Sequence, residues 1–420
     1  MTATADARPT AEASSRPDHS AFPDLDGIRA MAVLMVVVTH CAYWTGRYER
    51  GPAQGLLARM DFGVALFFVL SGFLLSRAWL QSAALGRPGP SLRVYFWRRA
   101  VRILPAYWAA VLFAMLVLDA NRRRANGWDW LRQVTLTGVY HAGWQRDGLT
   151  QMWSLSTEVA FYILLPVLGL TAMALTARVG WRPGWLLACC VGLVLVSVVW
   201  NVADHHGWAY GWSAQFWLPG FFGWFAGGMA LAVVNTHLRL PAGSDSKWRL
   251  TTEIGTNAGA CWLLAVAVLL VAATPVAGPR AVGLPTGATA VTKSLLYLVA
   301  AVLIVLPAVL GASRLTGWVF GNPAARWLGL ISYSVFTTHL VVLAIVHDDV
   351  LGYPLFGGSM VATTALTVPL SILTGWLSYR FVEVPTMRLR DWVRPTPTST
   401  PPTTPPSTAP AARPSAPRNY

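Results

Sequence analysis

Apolar runs of about 20 residues recur along this chain, and that is the length an α-helix needs to cross the hydrocarbon core of a bilayer. Ten such runs are readable, at roughly 28–44, 62–80, 100–119, 155–177, 185–203, 214–235, 259–276, 292–311, 328–347 and 358–379. The expected fold class is therefore all-α: a polytopic transmembrane helix bundle of about ten spans. Composition agrees, since 55% of residues are hydrophobic and 12% charged, against about 25% charged in a soluble domain. A soluble chain of 420 residues would divide into two or three domains, but a bundle packs as one unit. One domain over 22–393 is expected, between a polar, disordered segment 1–21 and a Pro/Thr/Ser-rich, disordered tail 394–420. Residues 1–21 contain no apolar run of signal-peptide type.

The net charge of +14 does not indicate a nucleic-acid partner, because the arginines sit in loops between apolar runs. Loop cations orient membrane proteins. With a cytoplasmic N-terminus, about 22 of the 32 Lys and Arg residues fall inside and about 10 outside. That bias predicts N-in and C-in, in a multi-pass protein of a bacterial plasma membrane. One loop opposes it: "NRRRANGWDWLRQ" (Asn121 to Gln133) is external in this scheme yet carries four arginines. Its interleaved tryptophans suit a headgroup interface, or else the span count fails nearby.

Cys41, Cys189, Cys190 and Cys261 all fall in apolar stretches without zinc-ligand or CxxC spacing. They read as small buried residues, and no metal site is expected. No H-x-E-x-x-H, GxSxG or P-loop pattern occurs, so metalloprotease, serine hydrolase and ATPase chemistry lose support. "GFFGWFAGG" (Gly220 to Gly228) has Gly223 and Gly227 at a spacing that lets helices pack closely.

Polar residues inside apolar spans are costly and mark cavities, partners or chemistry. In "DGIRAMAVLMVVVTHC" (Asp26 to Cys41), eleven residues at 100° each bring His40 back to within about 20° of Arg29. The two lie about 16 Å apart along the axis, and Asp26 falls within about 40° of the same line. A satisfied core histidine is the structural alternative. In "WRRAVRILPAYW" (Trp97 to Trp108), Arg98, Arg99 and Arg102 stand where a helix enters the membrane. They orient the helix, or they clamp an anion, for which the planar guanidinium fork is suited. In "WSLSTEVAFYILLP" (Trp153 to Pro166), Ser154, Glu158, Phe161 and Tyr162 share a face. Glu158 either touches headgroups or orients a histidine, accepts a proton or binds a hydroxyl. In "ISYSVFTTHLVV" (Ile331 to Val342), His339 is intramembrane, with Ser332 on its face. His205, His206 and His347 fall near span ends and read as solvent-facing. A short His-to-Asp acyltransferase box is absent at His40, which is followed by Trp44 and Thr45 at the fourth and fifth positions.

Taken together, "LDGIRAMAVLMVVVTH", "FGVALFFVLSGFLLSR", "RRAVRILPAYW", "WSLSTEVAFY", "ISYSVFTTHL" and "FVEVPTMRL" resemble, in order, the acyltransferase-3 family of multi-span O-acyltransferases. The likeness covers roughly residues 22–390. It implies an integral membrane enzyme that moves an acyl group from cytoplasmic acyl-CoA, a co-substrate rather than a bound cofactor, to a hydroxyl of a sugar or glycosylated metabolite. By that likeness His40 matches the essential histidine and Arg29 its partner in an Arg-x10-His motif. Arg99 and Arg102 match an Arg-x-x-Arg pair, Glu158 a glutamate before "FY", and His339 a late histidine. The run before His339 is "VFTT" here, where the family has an aromatic-rich one. The chain resembles stand-alone members, among them acylases of macrolide antibiotics and of surface glycans, and its Ala/Arg/Trp-rich composition favours the antibiotic group.

The implied mechanism makes His40 the base, Glu158 its orienting partner or the stabiliser of its imidazolium, and Arg99 and Arg102 the grip on the donor's phosphates. Arg29 is a further phosphate contact or holds Asp26. A different class fits the same buried groups: a transporter or flippase with a His/Glu/Arg proton relay. Against it, no repeated half and no paired broken helices are visible.

Overall fold

A computed structural model describes residues 22–141, 143–205, 211–241, 248–279, 286–311 and 313–393, so both expected disordered termini lie outside the described residues. Among those described there is no strand. Ten main helices follow one another: α1 (Asp24–Trp44), α2 (Phe62–Leu85), α3 (Leu92–Val117), α4 (Trp153–Val179), α5 (Pro183–His205), α6 (Leu218–Leu238), α7 (Ala258–Ala272), α8 (Gly287–Leu310), α9 (Pro323–Ala344) and α10 (Met360–Ser378). Nine are long and apolar enough to cross a membrane; α7 is not.

At 15 residues, α7 is about 22 Å long, short of a hydrocarbon core of about 30 Å. It nevertheless runs between the two faces of the bundle. Phe22, at the start of α1, lies under the guanidinium groups of Arg77 near the end of α2 and Arg239 after α6, which places those ends together on one face, the near face. On the opposite, far face, Lys293 of α8 reaches Asp61 before α2 at 2.5 Å. Arg59 caps the end of α7 there, donating to the carbonyls of Ala272, Ala277 and Gly278 at 2.9, 3.0 and 2.9 Å. A cation on the last carbonyls of a helix also offsets its dipole. Among the described residues, the run expected as a span at 259–276 is thus a shorter apolar helix that runs alongside the nine able to cross. α10 ends on the near face, where Trp97 donates to the Leu389 carbonyl at 2.8 Å.

The arginine-rich stretch that opposed the charge bias is not a missed span. It folds as two short helices, Asp119–Arg124 and Gly127–Val134. The second is amphipathic, opens with a capping box between Asn126 and Asp129, and leaves Trp128 exposed. Tyr107 and Trp108 of α3 donate to the carbonyls of Gln133 and Val134, and Arg146 pairs with Asp129. This is the geometry of a segment lying flat at an interface.

Burial identifies the centre of the bundle. The α9 segment is 83% buried and the α2 segment 72%, while the α5 segment is 17% buried, so α5 is a peripheral helix. Exposed Val191, Leu195, Ile163, Val167, Leu263 and Val361 form part of an outward apolar surface. A rim of this kind is what lipid requires. Cys41, Cys190 and Cys261 are buried as expected, whereas Cys189 is exposed. The glycine-rich stretch is a packing device: a Cβ on Gly228 would lie 2.0 Å from the Val69 carbonyl oxygen of α2.

An equally close helix contact joins α1 and α9. A Cβ on Gly329 would lie 2.0 Å from the Asp26 carbonyl oxygen, a backbone atom that cannot swing away. Gly329→Ala is expected to destabilise by about 1–3 kcal/mol, the usual range for overpacking. It should lower the melting temperature in detergent. Gly192→Ala meets nothing within 4 Å and should be neutral or stabilising in the same melt.

Candidate functional site

The α1–α9 pair is parallel and builds two polar layers. The layer toward the near face contains Arg29, whose Nε donates to Ser332 Oγ of α9 at 3.5 Å. Arg102, Asp26 and Glu158 all act on its charge, and Arg99 acts on the neighbouring hydroxyls of Tyr95 and Tyr162. Asp26, expected on the Arg29 stripe, is 9% exposed, and the charges of Arg29, Arg326 and Arg102 act on it. Arg29, Arg99, Arg102, Asp26 and Glu158 thus share one electrostatic centre, drawn from α1, α3 and α4.

Two carboxylates are fixed here. Glu158 accepts hydrogen bonds from Ser71 of α2 and from Tyr162, one turn along α4, the latter at 2.6 Å. Glu383 is 2% exposed, accepts from Arg102 at 2.8 Å and from Ser334, and was given no role from sequence. A π-helical turn, Tyr379–Glu383, continues α10 and carries this side chain into the bundle. Such turns often occur at functional sites. The sequence signal was available: an acidic residue in "FVEVPTMRL", at the end of an apolar run. Arg102 therefore already holds a carboxylate, and Arg98 lies 3.7 Å from Asp391. Arg99 makes no hydrogen bond or ion pair with any described residue.

The second layer lies about 16 Å along α1, eleven residues on, toward the far face. His40 Nδ1 is 2.8 Å from the Val36 carbonyl oxygen, and His339 Nδ1 is 2.7 Å from that of Phe336. His339 Nε2 is 3.2 Å from His40 Nδ1, with the ring centroids 5.1 Å apart. A carbonyl oxygen only accepts, so each Nδ1 carries the proton in the neutral pair. His40 Nδ1–H is then shared between the Val36 oxygen and the lone pair of His339 Nε2. This leaves the lone pair of His40 Nε2 free, the form a general base requires. His339 is fully buried and fixes this tautomer from the side. It does so without the aromatic-rich run, since Phe336 contributes its carbonyl and packs its ring against His339 at 5.7 Å.

Structure and sequence part over the carboxylate. The hydrogen-bond partners of Glu158 are Ser71 and Tyr162, and its charge acts on Arg29. The carboxylate whose charge acts on His40 is Asp61, which Lys293 and Tyr297 hold in place. Asp61 stands just before "FGVALFF" in the sequence, where nothing but its position beside an apolar run marked it. His347 also differs from expectation: it is fully buried. A π-helical turn, Ile345–Val350, brings its ring against Trp44 and Tyr353, with centroids 5.5 and 5.7 Å away. The side chain of His205 and all of His206 lie outside the described residues.

The Arg102–Glu383 pair permits a direct test. Removing one member of a buried pair strands the other, at a typical cost of about 3–5 kcal/mol. Arg102→Met should lower the melting temperature, and adding Glu383→Gln should restore part of the loss. Strictly additive losses in the double variant would mean the two side chains do not interact.

The acyltransferase domain of the acyltransferase-3 family matches residues 22–380. Over 87% of its length the chain is 28% identical to YrhL of Bacillus subtilis, provisionally named a peptidoglycan O-acetyltransferase, of which the match covers 55%. It is 23% identical over 89% of its length to the peptidoglycan O-acetyltransferase OatA of Listeria monocytogenes, of which 57% is covered. A provisionally named O-acetyltransferase of Staphylococcus aureus strain COL is 24% identical, with 87% of this chain and 57% of the relative covered. The chain thus spans little more than half the length of these curated relatives. No solved structure matches it. With nine helices able to cross a membrane among the described residues, and bacterial relatives, this is a multi-pass bacterial membrane protein, and the chain belongs to the acyltransferase-3 family.

Proposed function

We propose that the protein transfers an acyl group from acyl-CoA to a hydroxyl of a sugar, on a glycan or on a glycosylated metabolite such as a macrolide antibiotic. The observation that carries this is the pairing, on one helix, of an arginine layer with a histidine whose Nε2 is free about 16 Å deeper. The near face is then the cytoplasmic one, in keeping with the Lys/Arg bias, and both ends of the helical domain emerge there. Arg99, which has no hydrogen bond or ion pair with any described residue, and Arg29 receive the donor's phosphates by charge-assisted hydrogen bonds. The long pantetheine arm carries the thioester inward to His40. No bound cofactor takes part.

At the second layer His40 Nε2 accepts the proton of the acceptor hydroxyl as its oxygen attacks the acyl carbon. The imidazolium that forms keeps its Nδ1–H on Val36 and His339, and Asp61 contributes a favourable negative field. The carbon–sulfur bond then breaks, the thiolate takes up a proton, and ester and free CoA leave. Glu158, held by Ser71 and Tyr162 in the first layer, adds its negative charge to the surroundings of Arg29. The far-face position of His40, beside Asp61 and the loops after α1 and α9, favours an acceptor arriving from the outer side. The relatives' names, which specify a glycan polymer as acceptor, support a sugar here.

The test uses purified protein in detergent, labelled acetyl-, propionyl- and isovaleryl-CoA, and a panel of glycosides. Acylated product should form without any membrane gradient, which a transporter would not give. His40→Ala should lose about 10²–10⁴-fold in turnover, the usual contribution of a general base, with its melting temperature preserved. Arg99→Ala should raise the KM for the donor by about tenfold and leave that for the acceptor unchanged. Wild-type turnover in His40→Ala would refute the assignment.

A further inference from the structure

One face of α10 is lined with hydroxyls. Thr363, Thr367, Ser371, Thr374 and Ser378 fall within about 80° of one another at 100° per residue, over about 22 Å of helix. The near-face end of this row is bonded: Ser334 donates to Glu383, the Ser378 hydroxyl donates to Ser334 Oγ at 3.2 Å, and Glu383 holds Arg102. Thr374 lies 3.3 Å from the Thr338 hydroxyl of α9.

The far-face end is different. Thr363, Thr367 and Ser371 are fully buried, and their hydroxyls have no hydrogen-bond partner; nor does that of Thr364. They do not bond back to the carbonyl four residues earlier, the usual refuge of Ser and Thr in a helix. They do not cross-link helices as polar glue would. The Cys41 thiol, next to His40, lies beside Thr364 and Thr367 but outside hydrogen-bonding geometry. Consecutive orphan hydroxyls on one stripe are what a row of bound waters satisfies, since a buried water takes two to four polar partners.

We propose that the hydroxyl face of α10 binds a chain of water molecules that conducts protons between the His40 layer and the Arg102–Glu383 pair. The inference rests on the assignment of His40 as base. In the reaction, the acceptor hydroxyl gives its proton to His40 Nε2 while oxygen bonds the acyl carbon. The carbon–sulfur bond breaks with its electron pair on sulfur, and sulfur takes one proton. The track makes these two protons interchangeable. His40 discharges into it beside Cys41, and the thiolate takes up its proton at the Glu383 end as CoA withdraws to the near face, so one need not wait for the other.

Two measurements test this. The first compares wild type with the Thr367→Val, Ser371→Ala variant, which keeps shape and removes two hydroxyls. A proton-conducting track predicts an approximately tenfold loss of kcat, a larger solvent deuterium isotope effect and an unchanged KM for the donor. A dry stripe predicts the reverse: relief of two orphan groups, a higher melting temperature and wild-type kcat, which would overturn the proposal. The second needs no variant of the track. With Cys189, Cys190 and Cys261 replaced by Ala, silver ion, close to water in size, should react with Cys41 in liposome-embedded protein. Absence of reaction in native protein, with full reaction after unfolding, would overturn the proposal. Activity surviving in His40→Ala would remove the base assignment while leaving the silver result to judge the water track by itself.

Discussion

The near-contact of α1 with α9 at Gly329 is the constraint on which the rest depends. A glycine there lets the Asp26 backbone approach to a distance that any side chain would forbid. With the two helices parallel and in this register, Arg29 meets Ser332 and, eleven residues on, His40 meets His339. Each helix alone carries an awkward intramembrane histidine. Together they satisfy three ring nitrogens and leave the fourth, His40 Nε2, with an unused lone pair. A membrane interior makes that arrangement stringent, because no solvent is present to correct a wrong tautomer.

The two layers divide the chemistry by charge. Arginines and carboxylates of the first come from five elements: α1, α3, α4, α9 and the π-turn after α10. Their formal charges are paired or neighboured by other charges, apart from Arg99, which has no hydrogen bond or ion pair with any described residue and acts on the hydroxyls of Tyr95 and Tyr162. Aromatic rings separate this layer from the second, with Phe67 and Phe336 edge to face at 6.1 Å and His339 beyond. An anion drawn to the arginines is held away from the base, while a long, flexible thioester arm is able to bridge the gap. In the proposed reaction this keeps the recognition of phosphates and the deprotonation of a hydroxyl apart, yet on a common helix.

Much of this was legible in the sequence. All ten runs became helices, nine of them, among the described residues, long enough to cross a membrane, because backbone satisfaction in lipid leaves helix length readable from hydropathy. The Asp26–Arg29–His40 stripe needed only helix geometry. Illegible were features made by long-range contact. Glu383 turns inward through a π-turn with no sequence signature, and His347 is buried for the same kind of reason. Asp61 acts on His40 through helix packing, so Glu158, the nearer candidate by motif, drew the role of orienting carboxylate. α7 is short because Arg59 caps its end from more than 200 residues away, an interaction that no local window contains. The shared orientation of the α10 hydroxyls was readable in principle, but their lack of partners was not.

The central claim is that His40 presents an unprotonated Nε2 to the acyl acceptor, held so by Val36 and His339. Nitrogen-15 NMR of ring-labelled histidine in the detergent-solubilised protein measures this directly, with His40→Ala used to assign the signal. The account predicts a neutral ring at neutral pH with the proton on Nδ1 and a free Nε2. A signal reporting the proton on Nε2, or a permanently charged ring, would contradict it.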